Sequence, residues 1–141
     1  MAGDTCWTET TLAPDFQGWE DVTHGGIVAT ILDEVMGWAL ASADSWGFTA
    51  RLTIEYRRPT PIGRLLRAEG RLVERRRRLL TTQARLVDVE TGELLATADA
   101  VYVAAPPERK QALKERYRFR LIPDGTADAD PVLEFPGEAA R

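Results

Sequence analysis

The sequence predicts an α+β domain in which one antiparallel sheet curls around one long, largely apolar helix. Three observations carry this. From His24 or Gly25 to about Ala43, apolar residues recur at helical spacing. Cys6 to Leu12 ahead of that helix, and Phe48 to Arg57, Leu65 to Glu74, Leu79 to Val89 and Leu94 to Ala104 after it, read as strands. The later strands are joined by short links, and short links force antiparallel pairing. A single sheet can bury a single apolar helix only by wrapping it.

Each element has a local cause. Cys6 to Leu12 alternates loosely and is rich in threonine, and Ala13-Pro14-Asp15 ends it. Phe16 to Thr23 is then a loop that leads into the helix. Ser45-Trp46-Gly47 breaks the helix. In the next strand Phe48, Ala50, Leu52, Ile54 and Tyr56 face one way, while Thr49, Arg51, Thr53, Glu55 and Arg57 face the other. Pro59, Pro61 and Gly63 make the following connection. Glu90-Thr91-Gly92-Glu93 is a hairpin turn in which Gly92 can take positive φ. Pro106-Pro107 opens a short charged helix reaching about Arg116. Beyond Tyr117, repeated proline and glycine argue against regular structure. Residues 1–105 are therefore expected to form the domain. Residues 106–141 are expected to add a charged helix and an irregular tail docked on it.

Composition narrows the function. The chain has 141 residues, enough for one domain with its own core, and a formal charge of −4, which gives no global attraction to nucleic acid or anionic membrane. Met1 to Thr10 lacks the paired basic and apolar regions of a secretory leader. No apolar run is read as approaching the roughly 18–20 residues of a membrane span. One cysteine, Cys6, and one histidine, His24, make an intrachain disulfide impossible and a structural zinc site improbable. A cytoplasmic protein without metal or cofactor is the expectation.

The chemistry concentrates where the long helix begins, at His24-Gly25-Gly26. The first N–H groups of a helix have no partner within it. Glycines let another molecule approach those groups closely, and the helix dipole favours negative charge there. On a helical wheel Ile27, Val28, Ile31, Leu32, Val35, Trp38 and Ala39 share a broad apolar face. Ala29, Thr30, Asp33, Gly37 and Ala41 form a narrow stripe of small residues on another side, and such a stripe lets two helices pack closely. Asp33 lies in the stripe, whereas Glu34 falls at the edge of the apolar face. Asp33 is therefore the acid singled out; the plainer alternative is that both acids are solvated. Asp33 stands about 10–12 Å along the helix from the glycine amides. It cannot act on a carbonyl held at its own helix start, because reacting atoms must come to about 3–3.5 Å. If the two features form one site, two helices must lie antiparallel and the site belongs to a dimer.

His24-Gly25-Gly26 with an acid nine residues after the histidine, Phe16-Gln17-Gly18-Trp19 ahead of it and Leu32-Asp33-Glu34 within it resemble the hotdog-fold acyl-CoA thioesterases of the PaaI-like, 4-hydroxybenzoyl-CoA thioesterase group. The similarity runs from about Asp15 to Ala104. It implies a hotdog fold, an acyl-CoA substrate with CoA as its only cofactor-like part, and a homodimer or homotetramer. It implies further that Gly25 or Gly26 donates an N–H to the thioester oxygen, with Gln17 assisting. Asp33 of the other protomer would be nucleophile or general base. Thr49 would assist that carboxylate, and His24 would orient the helix start. The run Arg75 to Arg78 reads most simply as a solvated turn. The resemblance implies instead that Arg57, Arg58, Arg76 and Arg77 border the nucleotide of CoA. A non-catalytic acyl-CoA binding protein, a hotdog hydratase or dehydratase, and a nucleic-acid module built on the arginine run are the alternatives, in falling order. The second lacks an additional histidine, and the third lacks interleaved aromatics.

Overall fold

The computed structural model describes residues 5–117. The expected tail beyond Tyr117 lies outside them. Five strands form one antiparallel sheet: β1 (Thr5–Thr11), β2 (Gly47–Tyr56), β3 (Leu65–Arg76), β4 (Leu79–Asp88) and β5 (Leu94–Ala104). Their spatial order is β1-β3-β4-β5-β2. The helix α1 (Gly25–Ser42) joins the two edge strands, so it crosses the whole sheet. A second helix, α2 (Pro107–Tyr117), carries mainly charged residues and has no buried ones. It begins with Pro107, matching the helix expected after Pro106.

The side of α1 that meets the sheet carries Val28, Leu32, Val35, Met36, Ala39 and Leu40, all buried. They pack with Leu66, Ala68, Leu80, Leu86, Ala96, Ala98 and Ala100 from the inward positions of β3, β4 and β5. Met36 and Leu40 belong to this face although the wheel did not single them out, while Ile27, Ile31 and Trp38 are only half-buried on its flanks. One glycine sets how closely the layers approach. A Cβ on Gly70 of β3 would stand 2.6 Å from the Val35 carbonyl oxygen, so no other residue fits beneath the helix there. By length and mean hydropathy, 18 residues at 1.2, α1 reaches the lower limit for a membrane span, contrary to the expectation that no segment would. Its apolar face is spent on the sheet, and Asp33 and Glu34 lie outside that buried face.

Three features differ from the sequence reading. The first concerns the link from β2 to β3. It is short, yet the two strands are not neighbours, because β4 and β5 lie between them. The Pro-rich segment is held instead against the loop before α1: the Thr23 N–H donates to the Thr60 carbonyl at 2.8 Å, and Val22 pairs with Pro61. The second is a bulge in β2. Thr49 pairs with Tyr102 and Arg51 with Val101, which leaves Ala50 as an extra residue. The alternation inverts there. Thr49 therefore faces α1 on the same side as Leu52, Ile54 and Tyr56, and not opposite them as strict alternation requires. Third, β3 continues through Arg76, and its turn to β4 is only Arg77-Arg78, with Arg77 at φ 55°. The turn at Gly92, φ 72°, is as expected.

Candidate active site

The start of α1 is tied from four directions. The His24 N–H donates to the Phe16 carbonyl at 2.8 Å, and the Tyr56 hydroxyl donates to the Gly25 carbonyl at 2.7 Å. His24 caps the helix through its ring: Nδ1 accepts from the Gly26 N–H at 2.9 Å, which places a ring proton on Nε2. The Ile27 and Val28 N–H groups both donate to the His24 carbonyl. Three of the four helix-start amides are thereby occupied. The Gly25 N–H has no partner among the described residues, and Gly25 is exposed. Of the two glycines offered by the sequence, Gly25 is the one with a donor to give, and Gly26 serves the cap.

Gln17 lies in the loop just before, where its Oε1 accepts from the Asp21 N–H at 3.2 Å. The side chain thus braces the loop that Gly18 allows to close on His24, where a Cβ would meet the His24 Cα at 3.3 Å. Asp21 itself takes a positive φ of 60°. Trp19, at the tip, is 85% exposed.

Asp33 lies eight residues down α1 from Gly25, about 12 Å along the axis. It is half-buried, and its Oδ1 accepts two hydroxyls, Thr49 Oγ1 at 2.9 Å and Tyr102 Oη at 2.7 Å. The β2 bulge makes the first contact possible, since without it Thr49 would point to the far side of the sheet. Tyr102 is buried and also reaches the Asp33 carbonyl at 2.9 Å. Burial pushes its hydroxyl well above the ordinary tyrosine range, and the hydrogen bond to Asp33 pushes it the same way, so it remains a protonated donor. Glu34 is exposed and accepts from the Trp38 indole N–H at 2.9 Å, a local helical pair. The structure therefore joins Asp33 to Thr49 and leaves Glu34 apart. Sequence reading missed Tyr56 and Tyr102, whose contacts span 31 and 69 residues and leave no local signal.

The four arginines do not form one cluster in the chain. Arg57 and Arg58 follow Tyr56, beside the start of α1, with Arg57 near Glu55 at 3.6 Å and Arg58 paired with Glu93 at 2.9 Å. Arg76 and Arg77 lie at the other end of the helix, next to Arg75, whose guanidinium donates to the Ala43 carbonyl at the C-cap at 3.2 Å. An 18-residue helix separates the two pairs by about 27 Å. Among the described residues no group of side chains is arranged to hold a metal ion.

Comparison with known proteins bears on the family and the fold. The acyl-coenzyme A thioesterase THEM4 of Mus musculus is 28% identical over 93 residues, 66% of this chain and 40% of that protein. The chain thus spans about two-fifths of that relative. A Streptococcus pneumoniae thioesterase crystallised with coenzyme A has the same fold, with a TM-score of 0.69 at 19% identity over 72% of this chain and 82% of that one. PaaI of E. coli shares the fold at a TM-score of 0.68 and 16% identity, over 72% of this chain and 73% of that one. The family model of the thioesterase superfamily matches residues 20–95, from the loop before α1 into β5. With that match and the hotdog arrangement of sheet and helix, the chain belongs to the thioesterase superfamily.

Proposed function

We propose that this protein hydrolyses an acyl-CoA thioester to a carboxylic acid and CoA, in sites shared between two copies of the chain. The observation that carries this is the division of labour along α1: one open amide at Gly25, one braced carboxylate at Asp33, and about 12 Å between them. Neither can serve one carbonyl with the other in a single chain. Two antiparallel helices put each Gly25 against the partner's Asp33. At Gly37, within the stripe that would face the partner, an added Cβ would meet nothing within 4 Å. β2 is also an edge strand, and its open backbone edge invites pairing with a second β2. The names of the family's relatives supply the acyl-CoA.

In this reading the thioester oxygen accepts from the Gly25 N–H, and the helix dipole stabilises it as charge develops. Asp33 of the partner takes a proton from water as the water oxygen bonds to the carbonyl carbon. Collapse of the tetrahedral state breaks the C–S bond, and the proton passes to the CoA sulfur. If Asp33 attacks directly instead, the same oxygen forms an anhydride that water then opens, with the same products. The arginines fit CoA across the pair better than within a chain. With Gly25 opposite the partner's Asp33, the partner's Ala43 lies about 15 Å beyond Gly25 along the axis, compared with about 27 Å between the two arginine pairs of one chain. Arg57 and Arg58 of one protomer and Arg76 and Arg77 of its partner would then border the same nucleotide.

Thiol release from acetyl-, hexanoyl-, palmitoyl- and benzoyl-CoA tests the activity. Turnover of at least one ester, abolished in Asp33→Asn, is expected. Saturable CoA binding with no thiol released from any of them would favour the acyl-CoA binding reading.

A further inference from the structure

We infer that Tyr102 is a positioning residue of this site: with Thr49 it fixes Oδ1 of Asp33, so that Oδ2 is the atom that acts on the substrate. The inference rests on the proposed catalytic role of Asp33 and adds to it which oxygen works and what holds it. Oδ1 accepts from Tyr102 at 2.7 Å and from Thr49 at 2.9 Å, while no hydrogen bond reaches Oδ2 among the described residues. A carboxylate oxygen that already accepts two hydroxyls has its lone pairs committed. Tyr102 is the stiffer of the two braces. It is only 3% exposed, and its one hydroxyl proton is shared between Oδ1 and the Asp33 main-chain carbonyl, so it ties the side chain to the helix that carries it. Thr49 approaches from the exposed side, on the strand that the Ala50 bulge turns toward α1. A carboxylate gripped from two sides at one oxygen cannot swing about its Cβ–Cγ bond, and the other oxygen is held in one direction. That matters because misplacement of a reacting group by about 1 Å can cost about 10²-fold in rate.

The test is Tyr102→Phe in the full chain, which keeps the ring and removes the two hydroxyl contacts. The expected result is a fall in kcat of roughly ten- to a hundred-fold, the range for one hydrogen bond to a charged group, with KM for acyl-CoA within about twofold. In an Asp33→Asn background the same change should cost no further rate. The carboxamide oxygen still accepts from Tyr102 there, so any cost to melting temperature should persist while the cost to kcat disappears. A purely structural tyrosine would lower both backgrounds alike, and that result overturns the inference, as does an unchanged kcat in Tyr102→Phe. If Asp33→Asn turns over at the wild-type rate, the carboxylate assignment itself has failed, which is a separate outcome. Should Tyr102→Phe melt too low to assay, Thr49→Val removes the other donor from the same oxygen. A loss confined to kcat, restored in Thr49→Ser, is then expected, and an unchanged kcat in Thr49→Val overturns the two-donor assignment.

Discussion

The two faces of α1 are built on opposite rules. Leu32 and Asp33 are adjacent in sequence, yet Leu32 is fully buried in the core and Asp33 is only half-buried at its flank, where the Thr49 and Tyr102 hydroxyls reach it. On Leu32's side every position is filled by its own chain, from Val28 to Leu40, with Gly70 trimmed to let the helix in. On Asp33's side the residues are small, the Asp33 carboxylate is held by hydroxyls at one oxygen only, and a Cβ on Gly37 would meet nothing within 4 Å. A face that is complete within the chain carries stability. A face that is incomplete marks where another molecule can belong, and the proposed chemistry lies on that second face.

The comparison is broken most sharply by replacing these two neighbours one at a time. Leu32→Ala should cost about 2–5 kcal/mol of stability, as large-to-small changes in a packed core do. Any loss of turnover should track the unfolded fraction. Asp33→Asn should leave melting nearly unchanged, because Oδ1 can still accept from Tyr102 and Thr49. It should lower kcat by at least the 10²–10⁴-fold typical of an acid–base group. Near-normal turnover in Asp33→Asn, with loss in Glu34→Gln, would show that the wrong acid was chosen.

A second change sharpens what the open face is for. Gly37→Leu should not weaken the single chain, since a Cβ there meets nothing within 4 Å and glycine within a helix costs about 1 kcal/mol relative to alanine. It should push two helices apart if they pack along the stripe. Sedimentation should then show dimer dissociation weakened by at least tenfold, with activity falling as the protein is diluted. A tight and active Gly37→Leu dimer would place the contact elsewhere.

Much of this contrast was legible in the sequence, for physical reasons that also mark where legibility stopped. Helical and strand periodicity, the break at Ser45-Trp46-Gly47 and the turn at Gly92 are local signals, and they found every strand and the helix. Strand order is not local. Nothing in Pro59 to Gly63 says that β2 must cross to lie beside β5, so the short link was misread as joining neighbours. The bulge is a single extra residue, Ala50, which a period-two pattern cannot register, and it reversed the face assigned to Thr49. The small-residue stripe and Asp33 were visible because they lie on one helix. Tyr102 and Tyr56 were not, because their partners are far away in the chain.

A smaller effect is expected at the arginines. Arg76→Glu with Arg77→Glu should raise KM several-fold while kcat stays within about twofold, because distant phosphate contacts bind ground and transition states alike. No ion pair holds either arginine among the described residues. Arg57→Glu with Arg58→Glu should do less, since those two already face Glu55 and Glu93. Both effects should shrink in high salt and vanish with a truncated thioester that lacks the nucleotide. An equal loss on the truncated thioester would mean that the run acts through folding or assembly.

In the proposed dimer each site takes Gly25 from one chain and Asp33 from another, and mixed dimers test that sharing most directly. Gly25→Pro removes only the open amide. Proline is favoured at the first helical position, and His24 at ψ 134° already has the extended conformation that a residue before proline needs. Asp33→Asn removes only the carboxylate function. Each homodimer should be nearly inactive. Unfolded together in equal amounts and refolded, random pairing gives about half mixed dimers, each with one doubly defective site and one intact site. Shared sites should then restore roughly a quarter of wild-type activity. Mixed dimers verified by mass, with no activity above that of the two parents, would contradict it.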